Sequence, residues 1–196
     1  MDPKFIKNYF DKINILLKNL DLKKIDKIII NLQNLKKSKG RLFILGVGGS
    51  ASNASHAVND FRKICEIEAY APTDNVGELT ARTNDEGFET IFSSWLKVSK
   101  LTKNDALLIF SVGGGNLGKK VSVNIINAIK LAKKTKTDVL SIVGKKDGYA
   151  YKNSNVSLCI PIIDNKLVTP FSEGFQAVVW HCIVSDPRLK KNNTKW

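Results

Sequence analysis

Short runs of consecutive apolar residues alternate along the chain with longer stretches in which apolar residues recur every three or four positions. The runs at 42–45 and 106–110 predict strands that are buried on both faces, and we predict further strands over 66–70, 138–143 and 156–162. The longer stretches predict helices, two of them over 3–38 and the others up to 65 and over 73–83, 86–101, 118–134 and 169–185. Strands that alternate with helices indicate an α/β fold, with a doubly wound, mostly parallel sheet and right-handed crossovers.

The first two helices precede the sheet and have a long apolar face. Asp2 and Pro3 are predicted to start the first helix, Asp21 to cap the second and Gly40 to end it. Their apolar face packs either on another subunit or on its own domain, and we favour an oligomerisation layer. We therefore divide one structural domain into N-terminal helices at 1–40, a binding domain at 41–189 and a frayed tail at 190–196.

Two predicted strands run into glycine-rich loops that lead to helices, at Gly46–Ser50 and Ser111–Asn116. Such a loop directs free backbone N–H groups and the helix dipole at one point, which favours an anion such as phosphate. Neither loop fits the dinucleotide motif G-x-G-x-x-G or the P-loop. The alternative is that the glycines only permit tight turns. The Ser50 and Ser111 hydroxyls could add donors, and Lys119 and Lys120 could add charge or remain surface lysines.

The two histidines of the chain lie near carboxylates. His56 and Asp60 are four residues apart and share one helix face. His181 follows Glu173 by eight residues, which on a helix is a rise of about 12 Å and a rotation of roughly 80°. Both side chains can therefore reach one ion only if the ion lies between them or if different subunits supply the two residues. Each histidine alone could be a hydrogen-bonded core residue. Together the four residues are compatible with zinc or another divalent metal.

Composition narrows the class of protein. The chain has 196 residues, 43% of them hydrophobic, and three scattered cysteines, which predict no disulfide framework and a reducing cytoplasm. We expect no signal peptide and no membrane span. The net charge of +13 would suit nucleic acid or anionic metabolites. Because the lysines are spread over helix faces without interleaved aromatic residues, we do not favour nucleic acid as a partner.

These motifs together resemble the SIS (sugar isomerase) domain family, and within it the phosphoheptose isomerases. The resemblance covers nearly all of the chain. It depends on the Gly-Gly-Ser of the first loop, the Ser111 loop, and four pairs that match the family in order: His56 with Asp60, Asn84 with Asp85, Gly87 with Phe88, and Glu173 with His181.

The resemblance implies a flavodoxin-like SIS fold, a homotetramer with active sites shared between subunits, and one zinc or other divalent metal per subunit. The metal would be held by His56, Asp60, Glu173 and His181. The positions that would bind a sugar phosphate are Gly48, Gly49, Ser50, Asp60, Asn84, Asp85, Ser111, Val112, Gly113, Gly114, Gly115, Asn116 and Glu173. The implied reaction converts sedoheptulose 7-phosphate to D-glycero-D-manno-heptose 7-phosphate, toward the nucleotide-activated heptose of lipopolysaccharide or capsule.

For the reaction we expect Asp60 to act as a base, His181 as an acid and base, and Glu173 to orient the substrate or bind the metal. The chain departs from the family at Val47 (usually asparagine), Asp60 (usually glutamate), Glu173 (usually glutamine) and in a second loop poor in hydroxyls. These departures indicate a variant branch whose substrate could differ from the standard heptose. The alternative is a non-catalytic SIS protein, either a sugar-phosphate-sensing regulator or a relative that associates with the DnaA initiator.

Overall fold

The computed structural model describes residues 3–193 and contains a five-stranded sheet. All its strand pairs are parallel, in the order β2-β1-β3-β4-β5. The strands are β1 Leu42–Leu45, β2 Ala69–Tyr70, β3 Ala106–Ser111, β4 Asp138–Val143 and β5 Val156–Cys159. The central strand β3 is buried along its whole length, as its unbroken apolar run predicts. The predicted doubly wound parallel sheet is therefore confirmed.

Helices cover both faces of this sheet. They are α1 Lys4–Lys18, α2 Leu22–Lys37, α3 Gly49–Cys65, α4 Val76–Glu86, α5 Ile91–Val98, α6 Val123–Thr135, α7 Tyr149–Asn153 and α8 Val168–Ser185. One apolar core joins a face of the sheet to α1, α2, α3 and α8, and a second core joins the other face to α5, α6 and α7. None of the helices within residues 3–193 combines the length and the apolarity that a bilayer crossing requires.

The N-terminal helices pack partly on their own domain. Asp21 caps α2 as predicted, because its carboxylate accepts a hydrogen bond of 3.2 Å from the Lys24 N–H. Apolar side chains of α2 join the core of the sheet, whereas Phe5 and Phe10 of α1 remain 73% and 58% exposed. The predicted domain boundary at residue 40 stays a prediction, and the predicted cap at residue 2 lies outside the described residues.

The predicted role of Gly40 is wrong. The left-handed residue after α2 is Lys39, with φ 56°. Gly40 is instead required by close packing, since a Cβ there would lie 1.8 Å from the Asn104 carbonyl oxygen.

Several predicted boundaries are also wrong. The helix predicted from residue 118 begins at Val123, because Asn116 and Val121 exchange two backbone hydrogen bonds and close a tight hairpin. The helix predicted over 86–101 covers only 91–98, and the strand predicted over 66–70 is reduced to two residues. The short α7 is absent from the prediction, because five residues give too little periodicity. The predicted frayed tail docks at Lys191 and Asn192, which donate to the Ile64 carbonyl.

A buried carboxylate hydrogen-bonds two segments of the chain at the amino-terminal edge of the sheet. Asp105 is 4% exposed and accepts hydrogen bonds from the Arg41 backbone and guanidinium and from the Thr102 N–H and hydroxyl, at 2.8–3.1 Å. Burial would raise the pKa of this carboxyl, but the hydrogen bonds from Arg41 and Thr102 outweigh it and hold the pKa below its usual value.

We expect Asp105→Asn to lower the free energy of unfolding at pH 7 by about 3 kcal/mol, because it leaves Arg41 without its buried partner. Because the pKa of Asp105 is lower in the folded state, its charge stabilises the fold at pH values above the ordinary aspartate pKa of about 3.9. This contribution is lost as the pH falls through the lowered pKa. The difference between the variant and the wild type should therefore shrink in acid. Urea unfolding at several pH values measures this, and a variant as stable as the wild type at pH 7 would contradict it.

Candidate functional site

The first glycine-rich loop joins β1 to α3 at the carboxyl edge of the sheet. Gly46 must be glycine because a Cβ would lie 2.2 Å from the Ser50 carbonyl oxygen, and Gly48 adopts φ 63° just before the helix. A cavity of about 270 Å³ lies beside this loop, lined by Gly46, Val47, Gly48 and residues of α3, α4 and α5. Ser50 itself is buried, at 1% exposed. The loop thus has the strand–turn–helix form that the sequence predicts.

Three of the predicted metal ligands come together at one point. The Asp60 Oδ2 atom lies 3.6 Å from His56 Nε2 and 3.4 Å from His181 Nε2, and the two imidazole centroids are 5.2 Å apart. One ligand atom from each residue lies within 4.8 Å of the others. Asp60 is buried, whereas the side chains of His56 and His181 are 56% and 49% exposed. The cluster therefore opens to solvent on its imidazole side.

The cluster forms because α3 and α8 lie side by side and run in the same direction. Contacts between them follow both helices in order, from Gly49 with Glu173, through Asp60 with Trp180, to Cys65 with Val184. One helix therefore supplies His56 and Asp60, and the other supplies His181 beyond Trp180.

Glu173 does not join the three residues of the cluster. Its carboxylate lies against Gly49 at the amino terminus of α3, where a Cβ on Gly49 would come within 2.7 Å of Oε2. Glu173 and His181 lie eight residues apart on α8, so helix geometry keeps them about 12 Å apart along the axis, as the sequence predicts. Of the four predicted metal ligands, the structure therefore brings three together and places Glu173 at the amino terminus of α3, where the dipole favours a carboxylate.

Trp180 contacts the cluster, and the sequence pattern does not single it out. Its indole N–H donates a 3.1 Å hydrogen bond to Asp60 Oδ2, and the residue is 1% exposed. The other oxygen, Oδ1, accepts from the Asn59 side chain at 3.1 Å. A tryptophan within an apolar helix is typical of a core residue, and only its position next to His181 could have drawn attention to it.

The donor set fits a divalent cation. The His181 Nδ1 atom lies 2.8 Å from the Ala177 carbonyl oxygen, which can only accept, so Nδ1 holds the ring proton. In the neutral ring the Nε2 lone pair then faces Asp60 Oδ2, another acceptor. A bound cation removes this conflict, and a histidine that ligates a metal usually donates its other N–H to such a carbonyl. Two imidazoles and a carboxylate also match a common zinc ligand set.

The second glycine-rich loop, Ser111–Asn116, does not lead directly into a helix as predicted. It turns into the hairpin that ends at Val121, and Gly114 and Gly115 are covered by the start of α7, whose Ala150 and Tyr149 N–H groups donate to their carbonyls. The Ser111 hydroxyl accepts from the Gly114 N–H at 3.0 Å. This loop is therefore fixed by α7, and its anion site cannot be a simple helix terminus.

A second cavity, of about 540 Å³, adjoins that hairpin. It is lined by Phe88, Glu89, Leu117, Lys120, Ser122, Val123 and Asn124. Phe88 also lines the cavity beside the first loop, so this side chain is common to both. A larger cavity of about 920 Å³, between α2 and the ends of β4 and β5, contains none of the predicted site residues.

Asn84 and Asp85 are exposed near the end of α4. The Asn84 amide donates to the Asp85 carboxylate at 2.8 Å. Within residues 3–193, no hydrogen bond or ion pair joins these two residues to the histidine cluster or to either glycine-rich loop.

Comparison with known proteins supports the resemblance. The family model for the SIS domain matches residues 8–144. A phosphoheptose isomerase of Buchnera aphidicola subsp. Schizaphis graminum is 32% identical over 170 residues, covering 82% of this chain and 84% of that one. A solved phosphoheptose isomerase from Francisella tularensis shares the fold, with a TM-score of 0.79 and 22% identity over 94% of this chain and 96% of that one. Another, from Neisseria gonorrhoeae, has a TM-score of 0.77 and 21% identity over 92% of this chain and 96% of that one. The chain therefore belongs to the SIS domain family and, within it, to the phosphoheptose isomerase group.

Proposed function

We propose that the protein is an aldose–ketose isomerase that converts sedoheptulose 7-phosphate to D-glycero-D-manno-heptose 7-phosphate through an enediol. The proposal rests on one observation above all: two imidazoles and a carboxylate converge at 3.4–3.6 Å where α8 packs on α3, the helix that begins at the first glycine-rich loop. The similar proteins that bear the name phosphoheptose isomerase support the same reaction. Its product would supply nucleotide-activated heptose for lipopolysaccharide or capsule.

Proton transfer is assigned to Asp60 and His181. A base removes the proton from the carbon next to the carbonyl, and an acid moves the proton between the two oxygens. Asp60 serves as the base at one end and His181 as the acid and base at the other. Since 3.4 Å separates Asp60 Oδ2 from His181 Nε2, a proton can pass between the two atoms when no cation lies between them, and the half-exposed imidazole faces the substrate.

The sugar phosphate is assigned to the carboxyl edge of the sheet. Glu173 already provides a negative charge at the α3 terminus, so a phosphate there would meet repulsion. The phosphate is therefore assigned to the Ser111–Asn116 loop, where Lys120 lines the adjoining cavity. The sugar then extends along Phe88 toward the first loop, where Glu173 orients its hydroxyls.

A zinc or other divalent ion, one per subunit, is assigned to His56, Asp60 and His181. When bound, such an ion would polarise the substrate carbonyl and stabilise the developing negative charge on its oxygen. The acceptor conflict between His181 and Asp60 supports a cation at this point.

A homotetramer is proposed on the basis of α1. Its exposed Phe5, Ile6 and Phe10 form an apolar surface of a kind that monomeric proteins seldom leave uncovered. The sharing of active sites between subunits that the family resemblance implies would give Asn84 and Asp85, which are exposed in this chain, a place to contact the sugar of a neighbouring subunit.

Incubation of zinc-loaded protein with sedoheptulose 7-phosphate in D₂O, followed by NMR, tests the reaction. We expect signals of the aldose product and deuterium on its C2, the former carbonyl carbon of the ketose, which gains a proton when the enediol collapses. Binding of the sugar phosphate without turnover would instead identify a sensing regulator, the alternative that the fold also allows, and would overturn the enzymatic assignment.

Gly49→Ala tests the proposal that the Glu173 carboxylate orients the sugar at the first loop. The new Cβ would displace the Glu173 carboxylate, a flexible group, so we expect kcat/KM to fall by roughly 10- to 100-fold with little loss of stability. The matched control is Gly174→Ala, next to Glu173 on α8, where a Cβ meets open space. Steady-state kinetics of both variants measure the effect, and equal activity of the two would remove Glu173 from the site.

A further inference from the structure

We propose that Trp180 is the positioning residue of the site, and that its indole N–H fixes the Asp60 carboxylate in the orientation that binds a divalent cation together with the two imidazoles. The inference rests on the proposed function only in requiring that the cluster hold such a cation. It concerns a residue that makes no contact with substrate and acts only through Asp60.

The hydrogen bond from Trp180 is well placed to determine how Asp60 lies. An indole N–H can only donate, and Asp60 Oδ2, at 3.1 Å, is its acceptor in the described structure. Both residues are buried, at 1% and 7% exposed, so water does not readily replace either partner. The bond to Oδ1 comes from Asn59, an exposed neighbour in the chain. The buried donor is therefore the stronger constraint on the carboxylate.

The Trp180 ring is itself held rigidly. It stacks on Phe110 of β3 with the centroids 5.8 Å apart and the planes inclined by 23°. It also packs against both imidazoles, with its ring centroid 5.3 Å from that of His56 and 4.8 Å from that of His181. Because the ring is fixed by the sheet, the direction of its N–H is fixed as well.

This arrangement has a chemical consequence for the cluster. An aspartate carboxylate without a donor can rotate about its terminal torsion, which is broad and weakly restricted. A donor on Oδ2 removes that freedom and leaves lone pairs of the carboxylate for a cation. Partners that orient a metal ligand in this way typically change metal affinity by about 10- to 100-fold when they are removed.

Trp180→Phe tests the inference, since phenylalanine keeps an aromatic ring on Phe110 but lacks the donor. Zinc binding to the metal-free protein is measured by calorimetry, and cobalt(II) binding by its visible absorption. We expect Trp180→Phe to weaken zinc binding by about 10- to 100-fold and to alter the cobalt spectrum. The matched control, Trp95→Phe on α5, removes an indole that packs on Phe43 and should bind both ions as the wild type does. Wild-type affinity in Trp180→Phe, or no zinc binding by the wild type, would overturn the inference.

A second measurement does not depend on the variant folding. In ¹H–¹⁵N spectra of the wild type, assigned with Trp95→Phe and Trp196→Phe, the Trp180 indole resonance should shift when zinc is added and the Trp95 resonance should not. An unmoved Trp180 resonance would contradict the inference. Both readouts are independent of turnover, so a protein that binds zinc as expected but does not isomerise sedoheptulose 7-phosphate would overturn the proposed reaction and leave the role of Trp180 standing.

Discussion

His181→Ala is expected to lower the turnover of sedoheptulose 7-phosphate by about 100-fold or more, since it removes the half-exposed acid and base of the pair. The imidazole is fixed by the Ala177 carbonyl on one side and faces Asp60 on the other. Alanine retains neither function but preserves the helix, because it favours helical backbone. The measurement is kcat from the initial rate of product formation, with the oligomeric state checked by light scattering.

The matched control for this change is Cys182→Ala. Cys182 is the next residue of α8, is exposed and carries a free thiol. It should have the turnover of the wild type. Turnover of purified His181→Ala that equals that of Cys182→Ala would remove His181 from the proposed mechanism.

Asp60→Asn is expected to have an effect at least as large, about 100-fold or more in turnover, together with weaker zinc binding. The amide is nearly isosteric, but it has no negative charge and cannot accept a proton as a base. The fold should survive, because the amide oxygen can still accept the Trp180 N–H. Turnover and the zinc content of the purified protein are measured together, and circular dichroism checks the fold.

Asp138→Asn is the matched control for that change. This carboxylate is exposed at the start of β4, on the edge of the sheet opposite the site. The same loss of charge at this position should leave turnover and zinc content unchanged. Asp60→Asn would contradict the proposed role if it retained full turnover with zinc bound.

The sheet could be predicted from the sequence because its strands are buried on both faces. The unbroken apolar run at 106–110 and the largely apolar segment at 138–143 favour strands strongly, and both strands lie within one residue of their predicted bounds. The hairpin at 116–121 could not be predicted, because it depends on two backbone hydrogen bonds between Asn116 and Val121, which side-chain patterns do not encode.

The candidate site was predictable in part for a similar reason. His56 and Asp60 are related by local helix geometry, which fixes their common face. Their meeting with His181 depends on how α3 and α8 pack, and only the resemblance to the SIS family indicated it. The sequence predicts the two turns that separate Glu173 from His181. It could not reveal that Glu173 lies at the α3 terminus, nor that Trp180 donates to Asp60, because both depend on the direction in which the two helices run.

The parallel packing of α3 and α8 has a consequence for synthesis on the ribosome. All five strands and α3 are translated before α8, so the nascent chain can assemble its sheet while Asp60 still lacks both Trp180 and His181. The histidine cluster can be completed only after α8 has been translated and docks against α3. Because α8 also contributes buried residues to the core on one face of the sheet, premature termination within the last helix should remove the cluster and weaken the packing of that face.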